Sequence, residues 1–360
     1  MRCEVRPQAV VLRDFSRANV QDGRALIQAK GLGDVARFEQ TQTDAYFAAN
    51  ARFGSQPYNA NFAYKVSDAE RIALRDGTSW TDAQLGNALG AGLFRPVADT
   101  ETRIEDPNVV GRNLRFTVAG TIGEDVDPAF PNGIIVPRNL NGVTLTKEQK
   151  LALLTAEKQD ITLTPTEVRI AVKKDFDVEA SGTLTAQANG TVLIGSESDL
   201  AIAQVRTPGE VRIKSGAGLS NGAPDGTAAI TAQRLVLEAG QGSIGSTAKP
   251  MWVDIADGGT LTARARQSLF IGELTGDMRI NTVYAQQGAT LTAPGAILDA
   301  GFDRLLDVQA RLIDLSAGTT IGTPGGVAGA LEVSTGTNGT LNATAPGGVY
   351  LAGISIVVGD

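Results

Sequence analysis

The sequence predicts an all-β fold, a right-handed parallel β-helix (solenoid) with small helical insertions. Three observations lead to this prediction. A fourteen-residue phrase occurs three times, its apolar residues recur at every second position, and the 360-residue chain contains 42 glycines but only 5% aromatic residues. Such a composition suits a thin core of stacked layers better than a wide core built around large rings.

The repeated phrase has the pattern of two short strands joined by a turn. It reads GTLTAQANGTVLIG at 182–195, GTLTARARQSLFIG at 259–272 and GTLNATAPGGVYLA at 339–352, so the copies recur at two nearly equal spacings. Fixed-period similarity of this kind is typical of repeat architectures. We therefore interpret the phrase as a strand–turn–strand unit of a repeat protein.

The alternation inside the phrase predicts which face is buried. Leu184, Ala186 and Ala188 in the first copy correspond to Leu261, Ala263 and Ala265 in the second and to Leu341, Ala343 and Ala345 in the third. The other column drifts between neutral residues and the pair Arg264 and Arg266. Because alternate residues of a strand point to opposite faces, the constant column is predicted to be buried and the variable column to face water.

The larger repeat unit favours a β-helix over a propeller. The phrases RLVLEAG and RLIDLSAG begin at Arg234 and Arg311, equally far after the starts of the first and second copies, so a block of about 77 residues repeats. A propeller blade needs a stricter period of about 40–50 residues. With closely spaced short strands, one block corresponds to three or four coils, each offering the next coil the same small inward side chains.

Helix-start signals interrupt the strand pattern at three points. Ser67–Glu70 and Thr81–Gln84 are capping boxes of a helical hairpin, with Trp80 before the second, and Thr146–Gln149 is a third box that opens a helix over 146–158. The predicted organisation places an N-terminal strand or irregular segment first and the β-helix repeats last. Its four parts are residues 1–66, the helical hairpin 67–100, the first coils with the inserted helix 101–165, and the repeats 166–360.

Composition excludes several functional classes. The chain has no histidine, which removes Ser-His-Asp and Cys-His nucleophile systems and ordinary zinc sites. Cys3 is its single cysteine, and the net charge of −7 is spread without a basic patch, so no nucleic-acid partner is predicted. No apolar run is long enough for a transmembrane helix. We expect a chain that is not an enzyme and has no cofactor, catalytic residue or metal site.

Several carboxylates are candidates for the acid–base pair of a β-helix enzyme. Asp175, Asp177 and Glu179 share one face of a strand beside Lys173 and Lys174, and we interpret them as a solvated outer face. The remaining candidates are interpreted as turn residues, Glu197 and Asp199, and as one exposed side of a short helix or bulge, Asp299, Asp303 and Asp307.

Two features could bind a ligand, but the sequence assigns no binding residue. Phe270 and Tyr350 occupy the same column of the phrase as Leu193, and such a row could stack sugars, receive a protein, or pack under a second face. Arg264 and Arg266 could bind an anionic glycan. The other copies have neutral residues there, so a site repeated along the chain is not supported.

The sequence resembles the large bacterial filamentous adhesins, the haemagglutinin-like exoproteins, and within them the leukotoxin-like group. The resemblance covers about residues 67–300. The stretches that carry it are EDPNVVGRNLRFTVAGTIG (105–123), LALLTAEK (151–158), GTLTAQANGTVLIGSESDLAI (182–202) and QRLVLEAGQGSIGSTAKP (233–250). The Asn-Pro-Asn motifs of that family's secretion domain are missing; only Pro131–Ile134 is similar, and we interpret it as a turn.

This resemblance implies a non-enzymatic shaft or adhesive segment that is secreted or displayed at the exterior of the Gram-negative outer membrane. It also implies an outer-membrane secretion pore and a glycan or protein of a host or cell surface as partners. The N-terminus has no signal-peptide pattern, and GISIVVGD at 353–360 has no polar cap. We therefore expect either a segment of a longer exoprotein or a subunit that associates end to end through residues 354–358. A carbohydrate-active β-helix enzyme is the third alternative.

Overall fold

The computed structural model describes residues 4–5, 107–128, 130–137, 144–146, 149, 152, 160–301, 306–324, 329–335 and 339–353. Three predictions therefore lie outside the described residues. They concern the segment 1–66 apart from Glu4 and Val5, the helical hairpin 67–100, and residues 354–358. Of the predicted helix 146–158, only Thr146, Gln149 and Ala152 are described.

The described chain is nearly all β, as predicted. Most strands are short, and glycine turns separate many of them, as at Gly245 and Gly276, whose positive φ angles favour glycine. The strands are β1 (Glu4–Val5), β2 (Val109–Gly111), β3 (Leu114–Val118), β4 (Ile134–Pro137), β5 (Ile161–Leu163), β6 (Glu167–Ile170), β7 (Phe176–Ala180), β8 (Thr183–Ala188), β9 (Val192–Ser196), β10 (Leu200–Arg206), β11 (Glu210–Ser215), β12 (Leu219–Asn221), β13 (Ile230–Ala239), β14 (Met251–Ala265), β15 (Ser268–Glu273), β16 (Met278–Ala285), β17 (Gly288–Ala293), β18 (Ile297–Asp299), β19 (Val308–Gln309), β20 (Leu312–Ala317), β21 (Leu331–Ser334), β22 (Thr340–Thr344) and β23 (Leu351–Gly353).

The chain divides into two units. The first comprises Met1–Gln8, Pro107–Glu124 and Asp175–Asp360, and its twenty described strands form one sheet. All pairings in that sheet are parallel except the antiparallel contact of β1 with β2. The second unit comprises Ala9–Asp106 and Asp125–Lys174, and it contains a separate antiparallel sheet in the order β4–β6–β5.

Parallel neighbours in the large sheet are separated by a nearly regular distance along the chain, except where part of the second unit is inserted between β2 and β7 and between β3 and β8. One line of register partners runs through seven strands. Each residue of the line follows the previous one by about 20–25 residues, a period within the range of solenoid repeats. We call this spacing a ladder step, and a series of strands paired in this way a ladder. All seven side chains are buried in the main apolar core. The line consists of Ile194, Ile213, Leu237, Ala263, Val283, Val308 and Val333.

The repeated phrase has the predicted strand–turn–strand form. The first copy forms β8 and β9, the second forms the end of β14 and β15, and the third forms β22 and β23. Its apolar column is also buried as predicted in the first two copies, while in the third it is half-buried between exposed residues. The constant residues of the phrase are therefore core residues.

The prediction that each coil presents the same small residues to the next is confirmed where Ala239, Ala265 and Ala285 are register partners, but it is wrong for Ala263 and Ala186. Ala263 pairs with Leu237 below and Val283 above, and Ala186 lies between Phe116 and Val205. At these two positions a small side chain faces large ones across the neighbouring strands, as close packing of the core allows. The first and third copies fall on the same two ladders, whereas the second copy occupies these two ladders in the opposite order.

The prediction that the variable column faces water is wrong for the second copy. Arg264 has no exposed side-chain surface and Thr262 is also buried, whereas Thr183, Thr185 and Gln187 in the first copy are at least partly exposed. Arg264 is tolerated in the interior because its guanidinium meets the carboxylate of Glu238, its register partner on β13. A polar residue in the variable column can therefore be buried when a charged partner lies on the next strand.

The third capping box is present as predicted. The Thr146 backbone N–H donates to Gln149 Oε1 at 2.9 Å, and the Gln149 N–H donates to Thr146 Oγ1 at 3.2 Å. Gln149 Nε2 also donates to the carbonyl of Ile135 at 2.7 Å, which ties the helix start to β4. Among the described residues, no helix is both long and apolar enough to cross a membrane.

Candidate functional site

Charged side chains on β11 form a buried network. Glu210 is fully buried, and its Oε1 accepts hydrogen bonds from Arg212 Nε at 3.2 Å and Nη2 at 2.9 Å. Its Oε2 lies 3.4 Å from Nε of Arg234, the register partner on β13. A buried carboxylate held by two guanidinium groups has the arrangement of a structural ion pair.

The first acid candidate has the same character. Asp175 and Asp177 are buried, which contradicts the predicted solvated face, and only Glu179 is exposed. Lys214 Nζ lies 3.8 Å from Asp175 Oδ2. Gly195 lies between Asp177 and Lys214 in register, and a Cβ at that position would come within 2.3 Å of Asp177 Oδ1. The missing side chain at Gly195 therefore makes room for these carboxylates.

Other charged residues that the sequence singled out are placed as predicted or are ion-paired. Lys173 Nζ lies 3.0 Å from Asp160 Oδ1. Glu197 and Asp199 lie exposed in the turn between β9 and β10, as predicted, and Asp199 Oδ1 accepts a hydrogen bond from the Gly218 N–H at 2.8 Å. The contacts of these residues are thus an ion pair and a hydrogen bond from a side chain to the backbone.

A second carboxylate cluster lies where β18, β19 and β21 meet. Asp299, Asp307 and Glu332 are each at most 3% exposed, and one oxygen from each lies within 4.8 Å of the other two. The prediction that Asp299 and Asp307 lie on an exposed side is therefore wrong, while Asp303 lies outside the described residues. Sequence reasoning missed Glu332, although it follows Asp307 by one ladder step.

The chemistry of this cluster suits a hard cation, since carboxylate oxygens are the ligands that calcium and magnesium prefer. Asp307 Oδ2 also accepts a hydrogen bond from the Glu332 N–H at 3.0 Å, and Asp299 Oδ1 accepts one from the Gly301 N–H at 2.6 Å. These hydrogen bonds hold the carboxylates of Asp307 and Asp299 in place against the backbone. Proximity of acidic groups does not by itself make a metal site, and no metal is assigned to this cluster.

Glu273 is a buried acid in the apolar core. It is the register partner of the buried Val253, and its Oε1 accepts hydrogen bonds from the backbone N–H groups of Ile255 at 3.1 Å and Leu274 at 3.2 Å. Its Oε2 is buried without a hydrogen-bond partner. Burial raises the pKa of Glu273 to about 8, and the neighbouring negative charge of Asp254 adds to this effect. The side chain therefore carries a proton at neutral pH.

The prediction that Leu193, Phe270 and Tyr350 form one row is wrong. Leu193 is fully buried and pairs with Arg212 on β11, whereas Phe270 is half-buried and pairs with Thr290 on β17. Tyr350 is half-buried and lies just before β23. Phe270 separates from the other two because the second copy of the phrase occupies the two ladders in the opposite order to the first and third copies. Arg266 is half-buried and Arg264 is buried, so the two arginines do not form one exposed basic site.

Sequence reasoning missed the partly exposed polar face around Trp252. Trp252 on β14 continues in register through Gly272, Thr292, Ser316 and Thr344. A parallel row contains Phe270, Thr290, Asp314 and Asn342. Apart from Gly272, these residues are half-buried or exposed. We call the two rows, together with Asp254 next to Trp252, the Trp252 strip.

Comparison with known proteins gives one short match. A family model described as "Putative methyltransferase" matches residues 1–53. It spans less than half of the chain and, apart from Glu4 and Val5, lies outside the described residues, so it does not assign the chain to that family. No curated protein and no solved structure matches this chain.

Proposed function

We propose that this chain is a right-handed parallel β-helix that serves as a non-enzymatic structural and adhesive segment of a secreted bacterial surface exoprotein. The observation that carries the proposal is the continuous parallel ladder with its regular steps. Parallel strands need a crossover between them. In most of these crossovers one or two other strands lie between the paired strands, as β10 does between β9 and β11. A chain that coils once per ladder step accounts for this order.

The charged groups support a structural role. Glu210, Glu238 and Asp175 each lie against an arginine or lysine of another strand, so these buried carboxylates hold strands together. Such pairs are favoured only with good geometry, because burying charge is costly. Acid–base catalysis would instead need carboxylates that a substrate can reach. The absence of histidine from the sequence points the same way.

The surface location follows from the resemblance to filamentous adhesins. We propose an exposed location on the Gram-negative outer membrane, export through an outer-membrane pore, and a host or cell-surface glycan or protein as the partner. The Trp252 strip supports an adhesive role, since it presents a polar, partly exposed sheet face of the kind through which a rod could contact a surface.

An adhesion assay tests this proposal. Fluorescent beads coated with the chain are incubated with erythrocytes and epithelial cells, and beads coated with albumin are the control. We expect saturable binding that excess soluble chain competes away. Binding equal to that of albumin beads on both cell types would remove the adhesive part of the proposal. A soluble chain with mainly helical far-UV circular dichroism would remove the structural part.

The alternative is a subunit that self-assembles end to end into an extracellular filament or sheath. It rests on the apolar, β-branched sequence ISIVV at 354–358, which is typical of an aggregation-prone strand. Light scattering during size-exclusion chromatography distinguishes the two proposals. Large oligomers that dissociate when Ile356 and Val358 are both replaced by lysine would favour the filament, and a monomer at high concentration would exclude it.

The third alternative, a carbohydrate-active β-helix enzyme, has a direct assay. Release of reducing ends from a polysaccharide panel, abolished by Asp177→Asn, would support it. We expect no release, because Asp177 is buried and is fixed between strands, where its backbone N–H donates to Asn108 Oδ1 at 3.0 Å.

A further inference from the structure

The indole of Trp252 lies over the backbone of the neighbouring strand. A Cβ built on Gly272, the register partner of Trp252 on β15, would lie 2.3 Å from indole Cζ3 and 2.5 Å from Cε3. The six-membered ring therefore occupies the space that a side chain at position 272 would fill. Glycine at this position lets the indole lie close to the sheet.

Hydroxyl groups continue the row beyond the indole. Thr292 follows Gly272 in register, and its Oγ1 lies 2.9 Å from the same Cβ position. Ser316 and Thr344 extend the row and are exposed. Neighbouring strands are about 4.8 Å apart, a distance similar to the length of one sugar ring. The row thus offers an aromatic surface followed by hydroxyl groups at sugar-like intervals.

A carboxylate lies beside the indole on the same strand. Asp254 follows Trp252 by two residues, so both side chains project from the same face. Thr275 Oγ1 donates a hydrogen bond to Asp254 Oδ1 at 2.8 Å. This bond orients the carboxylate and leaves Oδ2 available to accept hydrogen bonds from a ligand.

The charge of the strip indicates the class of ligand. Its charged residues are Asp254 and Asp314, and neither row contains lysine or arginine. An acidic surface repels sulfated or carboxylated glycans and nucleic acids. Tryptophan, by contrast, presents an apolar ring face and suits a ligand that has both apolar C–H faces and hydroxyl groups. A neutral sugar has this combination.

We propose that the Trp252 strip is a binding subsite for a neutral oligosaccharide, in which one sugar ring stacks on the indole of Trp252. Asp254 and Thr292 hydrogen-bond the hydroxyl groups of that ring and its neighbour. This inference rests on the proposed adhesive function and names the chemistry of its ligand.

Fluorescence titration tests the subsite. The chain has two tryptophans, so Trp80→Phe leaves Trp252 as the single indole. This protein is titrated with cellohexaose and chitohexaose as neutral probes and with a heparin hexasaccharide as an anionic probe. We expect a saturable change in emission with at least one neutral probe and none with heparin. A response to heparin alone, or to no probe at millimolar concentration, would overturn the proposal.

Calorimetry with variants of the full chain assigns the binding to the strip. Trp252→Leu keeps an apolar cover over Gly272 but removes the indole, and we expect at least a tenfold loss of affinity. Thr292→Val keeps the β-branched shape and should weaken binding several-fold, which serves as the deciding variant if Trp252→Leu fails to fold. Unchanged affinity in the folded variants refutes the site. If these variants bind cells normally, the adhesive proposal stands without this subsite.

Discussion

Arg264 and Glu238 form an ion pair across two neighbouring strands in the interior of the protein. Nη1 of Arg264 lies 3.1 Å from Glu238 Oε1, the two residues are register partners, and neither is more than 1% exposed. One ladder step separates them in the sequence. Their contact fixes the register of β13 against β14, because a shift of one strand by one residue would turn its charge to the opposite face, away from its partner.

We expect Arg264→Thr to destabilise the protein by about 3–5 kcal/mol, since it leaves the Glu238 carboxylate buried without its cation. Urea unfolding followed by circular dichroism measures the loss. Arg311→Thr is the control, because Arg311 lies exposed just before β20 and its replacement should change stability by about 0.5 kcal/mol or less. Equal stability of the two variants would contradict the buried ion pair.

Ala263→Leu should destabilise the protein by about 1–3 kcal/mol, because the added side chain overpacks the space between Leu237 and Val283. Ala201→Leu is the matched control, since Ala201 lies half-buried on the opposite, polar face of its strand. Thermal melts of both variants provide the comparison. A control variant that is as unstable as Ala263→Leu would mean that the two faces are misassigned.

Glu273 should make stability depend on pH in one direction. The pKa of its carboxyl is about 8 in the folded protein and 4.5 in the unfolded chain. Between these values the folded state holds a proton that the unfolded state has lost. The contribution of Glu273 to the free energy of unfolding therefore falls as pH rises from about 4.5 to 8 and is constant outside that window.

The comparison of wild type with Glu273→Gln at pH 5, 7 and 9 isolates this effect. Glutamine retains an Oε1 that accepts the Ile255 and Leu274 N–H groups, and it cannot ionise. We expect the stability of the variant relative to wild type to increase from pH 5 to pH 9. A difference that does not change with pH would show that Glu273 titrates normally.

Gly195→Ala should destabilise the protein, because the new Cβ would come within 2.3 Å of Asp177 Oδ1 and displace that buried carboxylate. We expect a loss of about 1–3 kcal/mol, in the range for overpacked core positions. Gly120→Ala is the control, since a Cβ at Gly120 meets nothing within 4 Å. Identical melting of the two variants would be incompatible with the observed packing at Gly195.

The alternation of the repeated phrase was sufficient to predict the buried positions of Leu184, Ala186 and Ala263. Period-two patterning reports directly on a face that is packed. It could not predict the burial of Arg264, because the partner that makes burial possible lies one ladder step away. The length of the ladder step varies from strand to strand, so the sequence does not reveal which residue follows which across the ladder.

Because strand pairing could not be predicted from the sequence, the acidic cluster and the Trp252 strip were not predicted either. Asp299 and Asp307 were interpreted along the chain as one exposed side, whereas Glu332 joins them only through strand pairing. Trp252 was also missed, because its significance depends on Gly272, its register partner one ladder step further along the chain. Local pattern therefore predicted a nearly all-β chain, while the contacts between ladder neighbours required the structure.

If successive coils stack in register along one axis, residues many strands apart lie at a fixed separation. Three ladder steps separate Gln187 from Asp254. Trp252 lies on the same strand as Asp254, and four further steps separate it from Thr344. At about 4.8 Å per step, the exposed residues Gln187 and Thr344 should lie about 34 Å apart. With Cys3 replaced by serine, spin labels on Gln187→Cys and Thr344→Cys allow double electron–electron resonance to measure this distance. A narrow distribution centred on that value is the predicted result, and a broad distribution, or one centred at about half that value or less, would contradict the stacked coils.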